Sequence, residues 1–200
     1  MKIFRLVVAS LFLAALMISS SVSAEGRYKI IGDRKVDRWY FNGDKNYIFC
    51  GASMGMGDFV IKDTVNVEKY EPPIYIISAD VVSVSNYFNP SGDWKMRWRH
   101  TKRFRYDYSK RKMYLYTPDG GGNLRNRNKS LYKRDNIDFD SEWTYVFPNA
   151  FYGEGAHYVE VGEIAFALAY KLKFYGLKGY NGSDFYEAVR GVVGEVKDGI

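Results

Sequence analysis

The segment WKMRWRHTKRFRYDY, residues 94–108, decides the fold. Trp94, Met96, Trp98, His100, Phe104, Tyr106 and Tyr108 occur at every second position, apart from Thr101 and Lys102 at the centre. Lys95, Arg97, Arg99, Arg103 and Arg105 fill the positions between them. A strand sends successive side chains to opposite faces, so this period of two predicts a strand with one apolar face and one cationic face. Same-face neighbours lie about 6.8 Å apart, inside the physiological screening length of about 8 Å. Five such cations repel one another unless something negative faces them.

The neighbouring sequence extends this strand into a sheet. Residues 109–111 read as a turn and residues 112–117 as a returning strand. Upstream, residues 74–87 are β-branched and apolar, which suits a central strand. Glu71, Pro72 and Pro73 break the chain before it, because proline cannot donate to a ladder. Residues 59–70 alternate as one strand or two, and residues 51–57 read as a loop rich in glycine and methionine. Residues 28–31, 38–41, 46–50 and 143–147 are further short strands, with Gly32-Asp33 and Asn42-Gly43-Asp44 as turns.

The period then changes. Val161, Ile164, Ala165, Leu168, Ala169 and Leu172 fall at helical spacing, with Phe166, Tyr170 and Phe174 as a second stripe. Glu160 and Glu163 in the first turns, Lys171 and Lys173 in the last and Gly176 as a stop suit the helix dipole and C-cap rules. Leu168, mid-stripe, is expected to be fully buried. A second helix is expected over residues 184–199, capped by Asp184, with Phe185, Ala188, Val189, Val192, Val193 and Val196 on its apolar face. The predicted fold is α+β: an antiparallel twisted sheet with one or two C-terminal helices packed on one face.

Residues 1–24 read as a cleaved secretory signal peptide: Lys2 and Arg5, an apolar run from Leu6 to Met17, then a small polar stretch with Val22 and Ala24. Residues 25–200 then form a single α+β domain, exported to the periplasm, the cell surface or the medium. No later stretch is long and apolar enough to span a bilayer. The single cysteine, Cys50, excludes an internal disulfide and reads as a buried strand residue. Hydrophobic residues at 46% and charged residues at 26% exclude a disordered chain. The net charge is +6, but residues 94–134 hold fourteen lysines and arginines against Asp107 and Asp119 alone. This asymmetry points to an anionic partner or to internal pairing with acidic segments.

Three segments together carry a family resemblance: VEKYEPPIYIISAD at 67–80, FRYDYSKRKMYLY at 104–116 and VGEIAFALAYKLKFYG at 161–176. In order and spacing they resemble small exported bacterial proteins of unassigned function, in which a strand-rich body precedes a C-terminal helix. The resemblance implies that architecture and assigns no catalytic residue.

Few residues suit chemistry. Glu154, His157, Glu160 and Glu163 recur every three positions, a spacing that on one helix suits a metal half-site. Gly153 and Gly155 argue against helix before about residue 158, and no second Glu-x-x-His completes the set, so no metal ligand and no cofactor is assigned. His100 reads as a partly buried histidine bonded to a backbone carbonyl or, with Asp107 or Asp80 near it in the sheet, as a general base. No Gly-x-Ser-x-Gly nucleophile motif occurs, and residues 51–57 lack the Lys-Ser/Thr of a phosphate loop.

The basic strand is the candidate surface: Lys95, Arg97, Arg99, Arg103 and Arg105. It faces either carboxylates on adjacent strands, such as Asp63, Glu68 and Asp80, or an anionic envelope polymer or another envelope protein. Nucleic acid ranks below an envelope polymer for an exported chain. The leading expectation is a non-catalytic exported protein binding an anionic envelope component through its basic β-hairpin. The alternative is an envelope hydrolase or metal-dependent enzyme using His157, Glu160 and Glu163.

Overall fold

The structure, a computed structural model, describes residues 28–31, 34–37, 39–53, 55–87, 94–118, 142–148, 155–176 and 185–199. The signal-peptide segment, Glu154 and the Asp184 cap lie outside the described residues. The strands are β1 (Tyr28–Ile31), β2 (Arg34–Asp37), β3 (Tyr40–Phe41), β4 (Asp44–Ser53), β5 (Met56–Ile61), β6 (Asn66–Glu71), β7 (Ile74–Ser85), β8 (Lys95–Asp107), β9 (Lys112–Tyr116) and β10 (Trp143–Val146). Two helices follow, α1 (Gly155–Tyr170) and α2 (Phe185–Val193).

β1 and β2 form a hairpin of their own. The other eight strands make one antiparallel sheet in the order β10-β9-β8-β7-β5-β4-β3, with β6 also on β7. β7 is central, as its apolar sequence predicts. One edge pairs with β8 from Ile74 opposite Asp107 to Ser85 opposite Lys95. Its other edge is shared by β5 and β6, which a 3-10 turn at Lys62–Thr64 separates. Thr64 fills that interruption, its hydroxyl accepting from the Asp80 N–H at 2.9 Å.

Both faces of the sheet are apolar over part of their area. On one face, α1 and α2 cover Ile48, Cys50, Val60, Ile77, Ala79, Val81, Phe104, Tyr106, Met113 and Leu115. The opposite face holds a smaller aromatic cluster of Phe59, Ile61, Val82, Val84 and Tyr87, with Phe41, Phe49 and Trp94 against it. The α+β expectation, with helices on one face, therefore describes the fold.

Several local expectations are corrected. The second strand lies at Arg34–Asp37, and of the described residues 39–41 only Tyr40–Phe41 are extended, residue 38 lying outside the described residues. Residues 51–57 form a hairpin rather than a loop, because β4 continues to Ser53 and Gly55, at φ 82°, makes the turn. α1 begins at Gly155, earlier than the glycines suggest, so Glu160 and Glu163 lie beyond its first turn. It stops at Lys171, in the left-handed region at φ 55°, rather than at Gly176. α2 ends at Gly194, whose N–H bonds the Arg190 carbonyl at 3.0 Å, so Val196 is buried outside the helix. Leu168 is half-buried; Val161, Ile164, Ala165, Phe166 and Ala167 form the buried stretch instead.

Candidate functional site

The strict alternation predicted along residues 94–108 fails at Arg97. Met96 pairs with Val84 and Trp98 with Ser83, leaving Arg97 as the extra residue of a β-bulge. Val84 belongs to the aromatic cluster away from the helices, Trp94 packs against it, and Met96 faces the same side by register. Ser83 faces the helix side, and so do Trp98, His100 and Lys102. Arg97 turns the same way, its Nε donating to Ser85 Oγ at 3.0 Å. Lys95 is opposite Ser85. The five cations predicted to share a face are therefore divided. Lys95 and Arg97 accompany Trp98 on the helix side, while Arg99, Arg103 and Arg105 occupy the other. The cause is a single inserted residue, which shifts the alternation by one.

The second group is largely engaged within the fold. Asp80 accepts from Arg99 Nε at 2.7 Å and from the Thr101 hydroxyl at 2.6 Å. Arg103 pairs with Glu68, the bulged residue of β6, and lies over the Tyr116 and Trp143 rings. Arg105 lies 4.6 Å over the Tyr114 ring and 5.2 Å over that of Trp143. Of the carboxylates proposed to face the row, Asp80 and Glu68 do so; Asp63 pairs with Lys62 instead.

The first group is open. Every residue from Lys95 to Thr101 is exposed, including Met96 at 47% and Trp98 at 53%. Among the described residues, only β7 pairs with this half of β8, since β9 meets β8 from Phe104 to Asp107. Among the described residues, Lys95 and Arg97 have no carboxylate partner. The bulge thus places exposed cations and an exposed indole on one side, a combination that perfect alternation forbids.

This strip leads to a cavity of about 260 Å³ between the sheet and the start of α1, lined by Asp58, Val81, Ser83, His100, Lys102, Tyr158 and Val161. Ser83 donates its hydroxyl to Asp58 Oδ1 at 2.5 Å. Lys102 Nζ lies 5.1 Å over the Tyr158 ring. Burial lowers its ammonium pKa, and the Asp58 charge opposes that shift. His100 is exposed and, among the described residues, bonds no carbonyl. Asp80 is on the other face and Asp107 is held by Ser109 and Lys110, so neither serves His100 as a catalytic partner. The cavity itself was missed in the sequence, because its residues come from β5, β7, β8 and α1. Lys102, the one cation of residues 94–108 that falls on the aromatic side of the alternation, was the available signal.

His157, Glu160 and Glu163 do share one helix. The His157 side chain lies outside the described residues. Glu163 is fully buried and its oxygens are taken: it accepts from Tyr175 N–H at 2.5 Å, from Phe174 N–H at 3.2 Å and from the Tyr186 hydroxyl. Burial pushes its carboxyl above the ordinary range, with these hydrogen bonds opposing. No cluster of three metal-ligating side chains occurs among the described residues. Cys50 is buried, its thiol donating to the Asp58 carbonyl at 3.2 Å and pushed well up in pKa by burial. Among the described residues no helix is long and apolar enough to cross a membrane. Compared with known protein families, curated proteins and solved structures, the chain matches none.

Proposed function

We propose that this protein is a non-catalytic binding protein whose ligand is an anionic polymer of the cell envelope, held along the exposed first half of β8. The observation that carries this reading is the bulge at Arg97, which sets Lys95, Arg97 and the exposed Trp98 on one side of a half-strand that, among the described residues, pairs only with β7. Trp98 supplies a flat apolar surface, and Lys95 and Arg97, which have no carboxylate partner among the described residues, supply attraction that falls with salt. Arg103 and Arg105 are occupied by Glu68 and by aromatic rings, so they serve the sheet rather than the ligand. The leader-like first 24 residues favour export, which would bring the chain to such polymers.

The test is a titration with polygalacturonate, followed by Trp fluorescence at low and physiological salt. The parent should bind more weakly as salt rises. The variant carrying Lys95→Gln and Arg97→Gln should lose about tenfold in affinity at low salt, with a shallower salt dependence, by analogy with counterion release from nucleic acid. Equal binding by variant and parent would overturn the proposal.

A further inference from the structure

We propose that the cavity beside His100 and Lys102 receives one sugar residue that carries both a carboxylate and free hydroxyls; this rests on the polymer-binding reading above.

The lining groups form a mixed set. Lys102 is half-buried, yet among the described residues it makes no hydrogen bond or ion pair; the Tyr158 ring lies 5.1 Å away, and the Asp58 charge acts on it without contact. An ammonium removed from water needs acceptors, and a ring satisfies its charge without taking its N–H groups. A carboxylate entering the cavity would accept from Lys102, with His100 at the rim as a second donor. Asp58 asks for the opposite chemistry. One of its oxygens holds the Ser83 hydroxyl, and among the described residues its carboxylate makes no ion pair. A ligand hydroxyl would fill that place. Val81, Val161 and the Tyr158 ring supply apolar wall for the C–H face of a sugar.

The same set excludes other ligands. A neutral sugar would leave Lys102 without an acceptor. Inorganic phosphate would set a more concentrated negative charge against Asp58 and offer no C–H face to Val81, Val161 and the Tyr158 ring. About 260 Å³ lies just below the range for drug-sized ligands, so the cavity suits one small unit rather than an extended molecule. Its place at the end of the Lys95–Trp98 strip would let a polymer lie along β8 and insert one residue.

The experiment is NMR titration of the full chain with D-glucuronate, D-glucose and inorganic phosphate as separate probes. Glucuronate should shift the signals of His100, Lys102 and Tyr158 and saturate at millimolar concentration. Glucose and phosphate should bind at least tenfold more weakly. Lys102→Met should weaken glucuronate at least tenfold, whereas the Lys95→Gln, Arg97→Gln variant should weaken the polymer and leave glucuronate unchanged. Glucuronate that shifts no cavity signal, or that binds no better than glucose or phosphate, would overturn the inference. If Lys102→Met does not fold, Asp58→Asn supplies the second variant and should also weaken glucuronate. Glucuronate binding in the cavity without polymer binding would overturn the polymer reading alone.

Discussion

Tyr106 on β8 donates its hydroxyl to the carbonyl oxygen of Gly162 on α1 at 2.8 Å, with both residues buried. This bond lays the helix on the sheet at close range, and Gly162 is what permits the approach. A Cβ there would lie 2.2 Å from Met113 Sδ and 3.2 Å from the Phe104 ring, both fully buried. Gly162→Ala should therefore destabilise the protein by about 1–3 kcal/mol by overpacking, less the helix gain of up to about 1 kcal/mol from replacing glycine. Met113→Ala should cost less in the Gly162→Ala background than in the parent, because it removes the group that the new methyl meets. A double-mutant cycle in urea checks this, and additive effects would show that the two side chains do not meet.

Tyr186→Phe should be more costly at neutral pH than in acid. The Glu163 carboxyl is held above its ordinary value of 4.5 by burial, opposed by bonds from Tyr186 and the chain at residues 174–176. A raised folded-state pKa makes this group most favourable to folding below its ordinary value, and the benefit is lost as pH rises through the folded value. Removing the Tyr186 hydroxyl raises that pKa further and leaves the carboxylate with less compensation. The loss should be about 1–3 kcal/mol at pH 7 and smaller at pH 4. Urea unfolding at the two pH values measures it.

Asp80→Asn should flatten the acid limb of the stability curve. Burial alone would raise the Asp80 carboxyl, but bonds from Thr101 and Arg99 outweigh it and hold it below its ordinary value of 3.8. A depressed pKa contributes stability above the ordinary value that is lost as pH falls through the folded value. The substitution should cost at most about 1 kcal/mol at pH 7, because the Arg99 side chain is 61% exposed. Below pH 4 the parent should converge on the variant in thermal unfolding.

Ile164→Ala should cost about 2–5 kcal/mol, because Ile164 is fully enclosed in the main core. Leu168→Ala should cost less, because Leu168 is only half-buried one turn later. Equal losses, measured by urea unfolding, would mean that the helix is rotated from the position described.

Much of the architecture was legible in local pattern. The apolar, β-branched run of β7, the Pro72-Pro73 break, the β8–β9 return and the change of period into α1 each follow from steric and burial rules acting within a few residues. Cys50 was legible as a buried strand residue for the same reason. The bulge at Arg97 was not, because an inserted residue is visible only against the partner strand, and β7 supplies that reference. Nor was the end of α1 at Lys171, where the chain turns so that Glu163 can gather the N–H groups of Phe174 and Tyr175. The candidate site divides in the same way. Its cations and indole are written in residues 95–98, but their common side depends on register. The cavity depends on tertiary packing alone, since Asp58, Ser83, Lys102 and Tyr158 come from four elements that meet only when α1 closes over the sheet.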